Sequence, residues 1–388
     1  MSLTGNKIKL IYLLSYMGFA FWRVFYNVFL EENNFTGLQI GIINGLAQAM
    51  LFLFVPIWGF VAEKKGIRPT LQILVVATAA LMFFLGYIRN FELILIYLVL
   101  LTFFYHPIGA LTDALGTQFS EIHREYDYGK FRLWGSLGWA VASFLGGFIF
   151  LYFNVSASFY ISAALFALLI PLIRIPKSEL TRFKPHPNKT SIKVIFKNRK
   201  VMMVIPILIL YGMACSPVFS FTNLYFTELK ANSSIIGLAY AIMAISELPF
   251  FFYGARLVRL IGSKLVIIIA LTIMLIRLMI YGFFPSITTG LLMGAFQGLT
   301  LSFFLVGVVT YLHQVLPAGN HATAQTIIWS FFSGAGMTVG SLIIGYLKDK
   351  VGIIHSMTYA GYLAFGIIIL VIIFLKEESS INEDYVLK

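Results

Sequence analysis

The chain has 388 residues, of which 59% are hydrophobic, 16% aromatic and only 11% charged, and its formal net charge is +12. An ordinary soluble domain carries roughly 45 to 50% apolar and about 25% charged residues, so this composition excludes a water-soluble globule as well as disorder, collagen and a disulfide scaffold. The single cysteine, Cys215, lies inside an apolar run and rules out any disulfide within the chain.

The apolar residues come in runs of about twenty, the length that crosses roughly 30 Å of hydrocarbon. In chain order, hydropathy predicts spans at 8–30, 38–61, 69–88, 93–119, 131–153 and 157–174. Six more follow at 202–226, 233–256, 264–284, 287–315, 322–347 and 353–375. The first run is too long for a signal-peptide core and has no small-residue cleavage site behind it, so it reads as an uncleaved span. An even number of spans returns both ends of the chain to one side, and the loops on that side hold 21 of the 28 Lys and Arg residues. The positive-inside rule then puts both termini in the cytoplasm and a multi-pass protein in the cell (inner) membrane. On this reading the cations serve topology and lipid contact, and no nucleic-acid partner is expected.

The loop at 175–201 combines Pro176, Pro185 and Pro187 with many cations. It reads as a cytoplasmic linker between bundles at 1–174 and 202–376, with a tail at 377–388. A repeat crosses it: Gly59 matches Gly254, and span 1 matches span 7, at an offset of about 195 residues. Duplicated six-span halves are one build of a transporter in which solute sits near the midplane and access alternates.

An ionised side chain at the bilayer centre costs about 2.5 to 3.5 kcal/mol even on the mildest scale, so each needs a partner or a wet cavity. Five stand out: Arg23, Asp113, Arg132, Glu247 and Arg277. Asp113 and Arg132 lie on the two legs of one hairpin and are able to pair, either as a static bridge or as a pair that solute or proton breaks. Arg132, Ser136 and Trp139 share a helical stripe that suits a solute, a ring stacking on the indole while the guanidinium forks to oxygen; for Trp139 plain helix packing is the alternative. In span 1, Phe19, Trp22, Arg23 and Tyr26 recur at spacings of three and four, and Arg23, past the midplane, either meets solute or snorkels outward. Glu247 in span 8 and Arg277 in span 9 read as a mirror of the first pair. Gln297 and Thr300 in span 10, with Gln325 and Trp329 in span 11, are neutral groups for solute or for gluing helices. His106, just before Pro107, is the one histidine deep in a span. No Gly-rich phosphate loop, acidic cluster or metal-spaced histidine set occurs, so no enzyme activity, cofactor or metal is expected. A monomer is expected; a channel wants repeated pore-lining rings from several subunits, which the two unequal halves argue against.

The stretch Gly59-Phe-Val-Ala-Glu63-Lys64-Lys65-Gly66-Ile-Arg68 resembles the signature of the major facilitator superfamily, with Glu63 where Asp is usual. The resemblance implies a cytoplasmic gate latch built on Gly59, Glu63, Lys64, Gly66 and Arg68; Gly345–Gly352 resembles a weaker copy. Pro107–Leu115 and Asp127–Ser136 resemble the phenylpropionate permease branch, and Tyr128-Gly129-Lys130-Phe131-Arg132 with Gly138-Trp139-Ala140 is similar to the span 5 pattern of lactose permeases. The fold this implies is an all-α integral membrane protein of twelve transmembrane helices in two pseudo-symmetric six-helix bundles. Arg132 then binds solute, Trp139 stacks on it, Asp113 stands near the acid that partners Arg132, Glu247 is a solute-contacting acid, and Arg277 belongs to the coupling network. Arg23, Tyr26 and Gln297 join the expected solute wall. Span 10 departs from the pattern: Gln297 and Thr300 replace the His and Glu of lactose permeases, which leaves Glu247 first, and Asp113 second, to carry a proton. Burial favours the protonated carboxylate and a neighbouring arginine the ionised one, so capture of that arginine by solute favours proton uptake. The expected function is a proton-coupled (rather than sodium-coupled) symporter importing a small organic solute: a sugar, a glycoside or an aromatic carboxylate. The alternatives are a nucleoside carrier or drug exporter of the same fold and, more remotely, a polytopic enzyme or channel.

Overall fold

The computed structural model describes the backbone of residues 3–123, 128–176, 198–316 and 321–375. Most of the expected linker and the whole of the tail at 377–388 lie outside the described residues, as does Asp127 of the span 5 motif. Every regular element among the described residues is helical. The first half runs α1 (Leu3–Arg23), α2 (Tyr26–Glu32), α3 (Gly37–Lys65), α4 (Ile67–Leu85), α5 (Phe91–Ile122), α6 (Tyr128–Ile149) and α7 (Ala157–Leu172). The second half runs α8 (Arg199–Ser220), α9 (Thr222–Glu228), α10 (Ser233–Ile261), α11 (Ser263–Phe283), α12 (Ile287–Gly294), α13 (Gln297–Val315), α14 (His321–Ile328), a π-helical stretch Trp329–Met337, and α15 (Thr338–Phe374). Nine stretches among the described residues are long and apolar enough to cross a bilayer. One of them, Ala324–Phe374, holds two spans turned at Gly352, and α6 and α7 complete the expected twelve.

Polar residues at the apolar boundaries start these helices. Thr36 and Gln39 form a reciprocal capping box at the start of α3, Asn90 accepts the Leu93 amide at 2.9 Å, and Ser286 accepts that of Thr289 at 3.1 Å. Each satisfies an amide that the first helical turn leaves without a partner.

Three spans predicted as continuous are interrupted. Span 1 breaks at Val24–Phe25, where the Phe25 amide closes onto Trp22 O three residues back, and span 10 breaks at Ala295–Phe296 in the same tightened way. Span 7 breaks at Phe221, four residues after Pro217, whose missing amide weakens the turn before it. The stretch Gly59–Arg68, expected as a loop, is helical as far as Lys65, and the turn is Gly66 alone. Glu and Lys are good helix formers, and Lys64 and Lys65 suit the negative end of the α3 dipole.

The repeat is sharper in the backbone than in the sequence. Breaks and ends coincide at an offset of 196 residues: α2 and α9 start at Tyr26 and Thr222 and end at Glu32 and Glu228, α3 and α10 start at Gly37 and Ser233, and α5 and α12 start at Phe91 and Ile287. The two non-glycine residues with positive φ among the described residues, Asn34 and Lys230, obey the same offset. So do Gly66 (φ 94°, ψ 150°) and Gly262 (φ 83°, ψ 159°), and Gly352 (φ 81°, ψ 163°) repeats the conformation between the last two spans. This region of backbone space is essentially open to glycine alone, at a cost of about 1 to 3 kcal/mol for other residues. A Gly262→Ala chain is therefore expected to lose about 1 to 3 kcal/mol of stability, read as a lowered thermal midpoint of detergent-purified protein. Just past these turns, Arg68 donates to Ile175 O after α7, and Lys264 donates to Ile372 O near the end of α15 at 3.0 Å. These cations, again 196 residues apart, complement the negative ends of the helices they reach.

The chain divides into two compact units, Met1–Pro185 with Lys230–Ile245 and His186–Leu229 with Ser246–Lys388. Residues 230–245, placed by sequence in the second bundle, thus group with the first, where Ser233 Oγ donates to Gly147 O at 2.9 Å.

Candidate functional site

In the first unit Arg132 is half-buried on α6, its guanidinium 4.5 Å from the centre of the Tyr16 ring. Tyr16 stacks in turn with Tyr12, and Tyr12 with Phe131, so an aromatic column from α1 holds this face of α6. Gly135 makes the room: a Cβ there would stand 2.9 Å from the Tyr16 ring and 3.0 Å from Arg132 Nη1. Asp113 on α5 and Trp139 on α6 are also half-buried. Tyr16 was not among the expected residues, because its contact with Arg132 joins two spans that sequence spacing cannot align.

A second polar group lies around the break in span 1. Arg23 is half-buried and Tyr26 is buried, with Tyr26 packed against Trp22 at 5.1 Å between ring centres. The charge of Arg23 reaches Tyr26, Tyr105 and His106. His106 donates Nε2–H to Ala47 O at 2.9 Å, and Asn44 donates Nδ2–H to Asn27 Oδ1 at 3.0 Å. The sequence flagged Arg23, Tyr26 and His106; the Asn27 to Asn44 contact, formed between α2 and α3, is visible only in three dimensions.

In the second unit Arg277 is 1% exposed, and all its hydrogen bonds among the described residues go to neutral oxygens. It donates to Gln297 Oε1, to Thr300 Oγ1 at 3.3 Å and to the Tyr281 hydroxyl at 3.4 Å. Tyr211 donates to Thr300 O at 2.8 Å and stacks on Phe304. The expected direct pair of Glu247 with Arg277 is not formed. Instead both charges reach Tyr211. The Gly298 amide, donating to Ser246 Oγ at 3.2 Å, fixes the turn of α10 that carries half-buried Glu247 beside α13. The mirror relation inferred for this pair also fails in register: 196 residues before Glu247 and Arg277 stand Leu51 and Leu81. The backbone repeats while the chemistry does not.

Among the expected gate residues, Glu63, Lys64 and Gly66 are exposed, Gly59 and Arg68 half-buried. Lys64 lies over the Phe60 ring at 4.3 Å, and a Cβ on Gly59 would meet nothing within 4 Å, so no close approach explains that glycine. Gln325 and Trp329 are exposed.

The sequence matches the MFS_1-like family over residues 6–359. It is 25% identical over 392 residues to the maltose permease of Geobacillus stearothermophilus, covering 96% of this chain and 95% of that protein. It is 22% identical over 369 residues to the lactose permease of Citrobacter freundii, covering 89% of this chain and 86% of the relative. The crystal structure of the nucleoside transporter NupG superimposes with a TM-score of 0.80 at 18% identity, over 96% of this chain and 98% of that one. Twelve helical spans in an internal repeat, a fold shared with a solved transporter and permease relatives along nearly the whole length lead to one assignment: the chain belongs to the MFS_1-like family and is a multi-pass secondary transporter of small solutes in the major facilitator superfamily, related to lactose permease.

Proposed function

We propose that this transporter is a proton-coupled symporter that imports a small organic solute, a sugar, a glycoside or an aromatic carboxylate, by alternating access. It works as a monomer in the inner membrane with both termini cytoplasmic. Arg132, Trp139, Asp113, Glu247, Arg23, Tyr26 and Gln297 contact solute, and Glu247, Asp113 and Arg277 couple it to the proton. Glu63, with Lys64, Gly66 and Arg68, latches the cytoplasmic gate. The maltose and lactose permease relatives support the solute class.

The observation that carries the coupling reading is that the terminal nitrogens of Arg277 donate to the neutral oxygens of Gln297, Thr300 and Tyr281, while its buried Nε has no hydrogen-bond partner among the described residues. Because the guanidinium is held by neutral oxygens, Glu247 is able to gain or lose a proton without dismantling the buried hydrogen bonds of α11 and α13. Tyr211 lies within reach of both charges. A direct buried ion pair would resist protonation, since removing one charge strands the other.

The test is uptake into proteoliposomes under an imposed inward proton gradient, with maltose, lactose, an aromatic glycoside and an aromatic carboxylate as solutes. Accumulation of at least one that collapses with a protonophore supports symport; accumulation driven by sodium alone overturns proton coupling. A Gly135→Ala substitution moves Tyr16 or Arg132 by a few tenths of an ångström. At about 1 to 3 kcal/mol for such overpacking, it is expected to cut uptake roughly ten-fold or more at low solute, with the expression level unchanged.

A further inference from the structure

The seam between α1 and α6 in the first unit has a counterpart in the second, between α8 and the π-helical stretch of span 11. A Cβ on Gly138 would stand 2.3 Å from Leu13 O, and a Cβ on Gly336 would stand 2.4 Å from Ile209 O. Leu13 and Ile209 are 196 residues apart, so the same carbonyl of the repeat lies against a glycine in both units. The two seams are one packing solution used twice. Whatever differs between them is not demanded by the backbone.

They differ at Tyr16. Its counterpart at the 196-residue offset is Gly212, where a Cβ would stand 2.2 Å from Phe332 O and 2.9 Å from Gly336 Cα, so the second seam closes backbone on backbone. The first seam has the Tyr16 ring at that place, with the Arg132 guanidinium 4.5 Å from its centre. Gly135 opens the slot, since a Cβ there would stand 2.9 Å from the ring and 3.0 Å from Arg132 Nη1. Arg132 and Gly135 have no equivalents either: the same offset leads to Ile328 and Phe331, and alignment through Gly138 and Gly336 leads to Ser330 and Ser333. Ring, cation and glycine thus occur together in one unit and are all replaced in the other. Packing alone does not call for them.

The ring itself is firmly held. Tyr16 stacks on Tyr12 at 6.3 Å and meets Phe19 edge-on at 5.4 Å, while Tyr12 and the Phe131 ring beyond it are fully buried. A guanidinium laid on such a ring is attracted by its face and keeps its in-plane N–H donors for forked bonds to oxygen. Its orientation is then settled before solute arrives, which spares the binding step the cost of ordering a long side chain.

We propose that Tyr16 is a positioning residue for solute binding, acting through Arg132 by holding its guanidinium in the orientation that forks to solute oxygen. This deepens the proposed function and rests on its reading that Arg132 contacts solute.

The experiment measures half-saturation and maximal rate of uptake by full-length protein in proteoliposomes, with maltose, lactose, 4-nitrophenyl β-D-glucoside and 3-phenylpropionate as probes. Tyr16→Leu is expected to raise the half-saturating concentration roughly five-fold or more, with a maximal rate close to that of the unaltered chain. Tyr16→Phe keeps the ring and is expected to restore the unaltered value. Tyr12→Leu removes the more deeply buried neighbour in the same column; it is expected to lower the thermal midpoint more than Tyr16→Leu and to change half-saturation less. Unchanged half-saturation in Tyr16→Leu, a Tyr16→Phe chain as impaired as Tyr16→Leu, an equal rise in Tyr12→Leu, or failure of Tyr16→Leu to fold each overturns the assignment. Arg132→Lys separates the two levels of the argument. If it raises half-saturation and Tyr16→Leu does not, the positioning role alone fails; if it leaves half-saturation unchanged, Arg132 does not contact solute and the reading beneath fails. No uptake of any of the four probes by the unaltered chain sinks the proposed solute class and this inference with it.

Discussion

A Glu247→Gln chain reconstituted into proteoliposomes is expected to exchange solute across the membrane at a rate close to that of the unaltered protein and to fail to concentrate it. The amide keeps the size and the hydrogen-bonding capacity of the protonated acid while removing its exchangeable proton. One pH unit of gradient represents about 1.4 kcal/mol per proton, enough for a ten-fold accumulation that the variant forgoes. The measurement is the steady-state ratio of inside to outside solute under an imposed gradient, set against counterflow with no gradient. A variant that still accumulates solute moves the proton to Asp113 or elsewhere. Because Arg277 draws on Gln297, Thr300 and Tyr281, the substitution is expected to leave these buried hydrogen bonds in place.

The second large effect is expected at Gln297. Its side-chain oxygen accepts from a fully buried guanidinium, and hydrogen bonds to charged groups contribute about 1.5 to 3 kcal/mol. Gln297→Leu is therefore expected to destabilise by at least about 1.5 to 3 kcal/mol, since Arg277 is left with longer contacts to Thr300 and Tyr281. Adding Arg277→Met to that variant removes the stranded charge, and the double variant is expected to recover much of the loss. A double-mutant cycle on thermal or denaturant unfolding in detergent gives the coupling directly. Simple additivity of the two substitutions would mean that the two side chains do not depend on each other.

Most of the architecture was legible because hydrocarbon thickness imposes a length on every span and polar caps mark the ends. Span 10 was expected to open at 287, and α12 begins at Ile287 behind its Ser286 cap. What was not legible depends on contacts between spans or on local backbone closure. Nothing in the residues around Val24–Phe25 resembles the Pro or Gly signals of a helix break, yet the helix ends there. The helical course of Gly59–Lys65 was within reach of propensity alone, but a basic segment beside a membrane reads first as a loop. The site residues were found by a cost argument, that a charge in hydrocarbon needs a reason, and that argument names which residues matter without naming their partners. It identified Arg277 and Gln297 separately, and the fold joined them. It expected Glu247 to face Arg277, whose hydrogen bonds go instead to Gln297, Thr300 and Tyr281.

The three glycine turns at Gly66, Gly262 and Gly352 each occupy a single residue, leaving no slack chain between the helices they join. Two helices so hinged cannot slide lengthwise past each other by a turn without melting an end, so each pair travels as one stiff lever. The compliance that alternating access demands is then left to the interruptions at Val24–Phe25, Phe221 and Ala295–Phe296 and to the π-helical stretch Trp329–Met337, which are the places where cross-linking should freeze turnover.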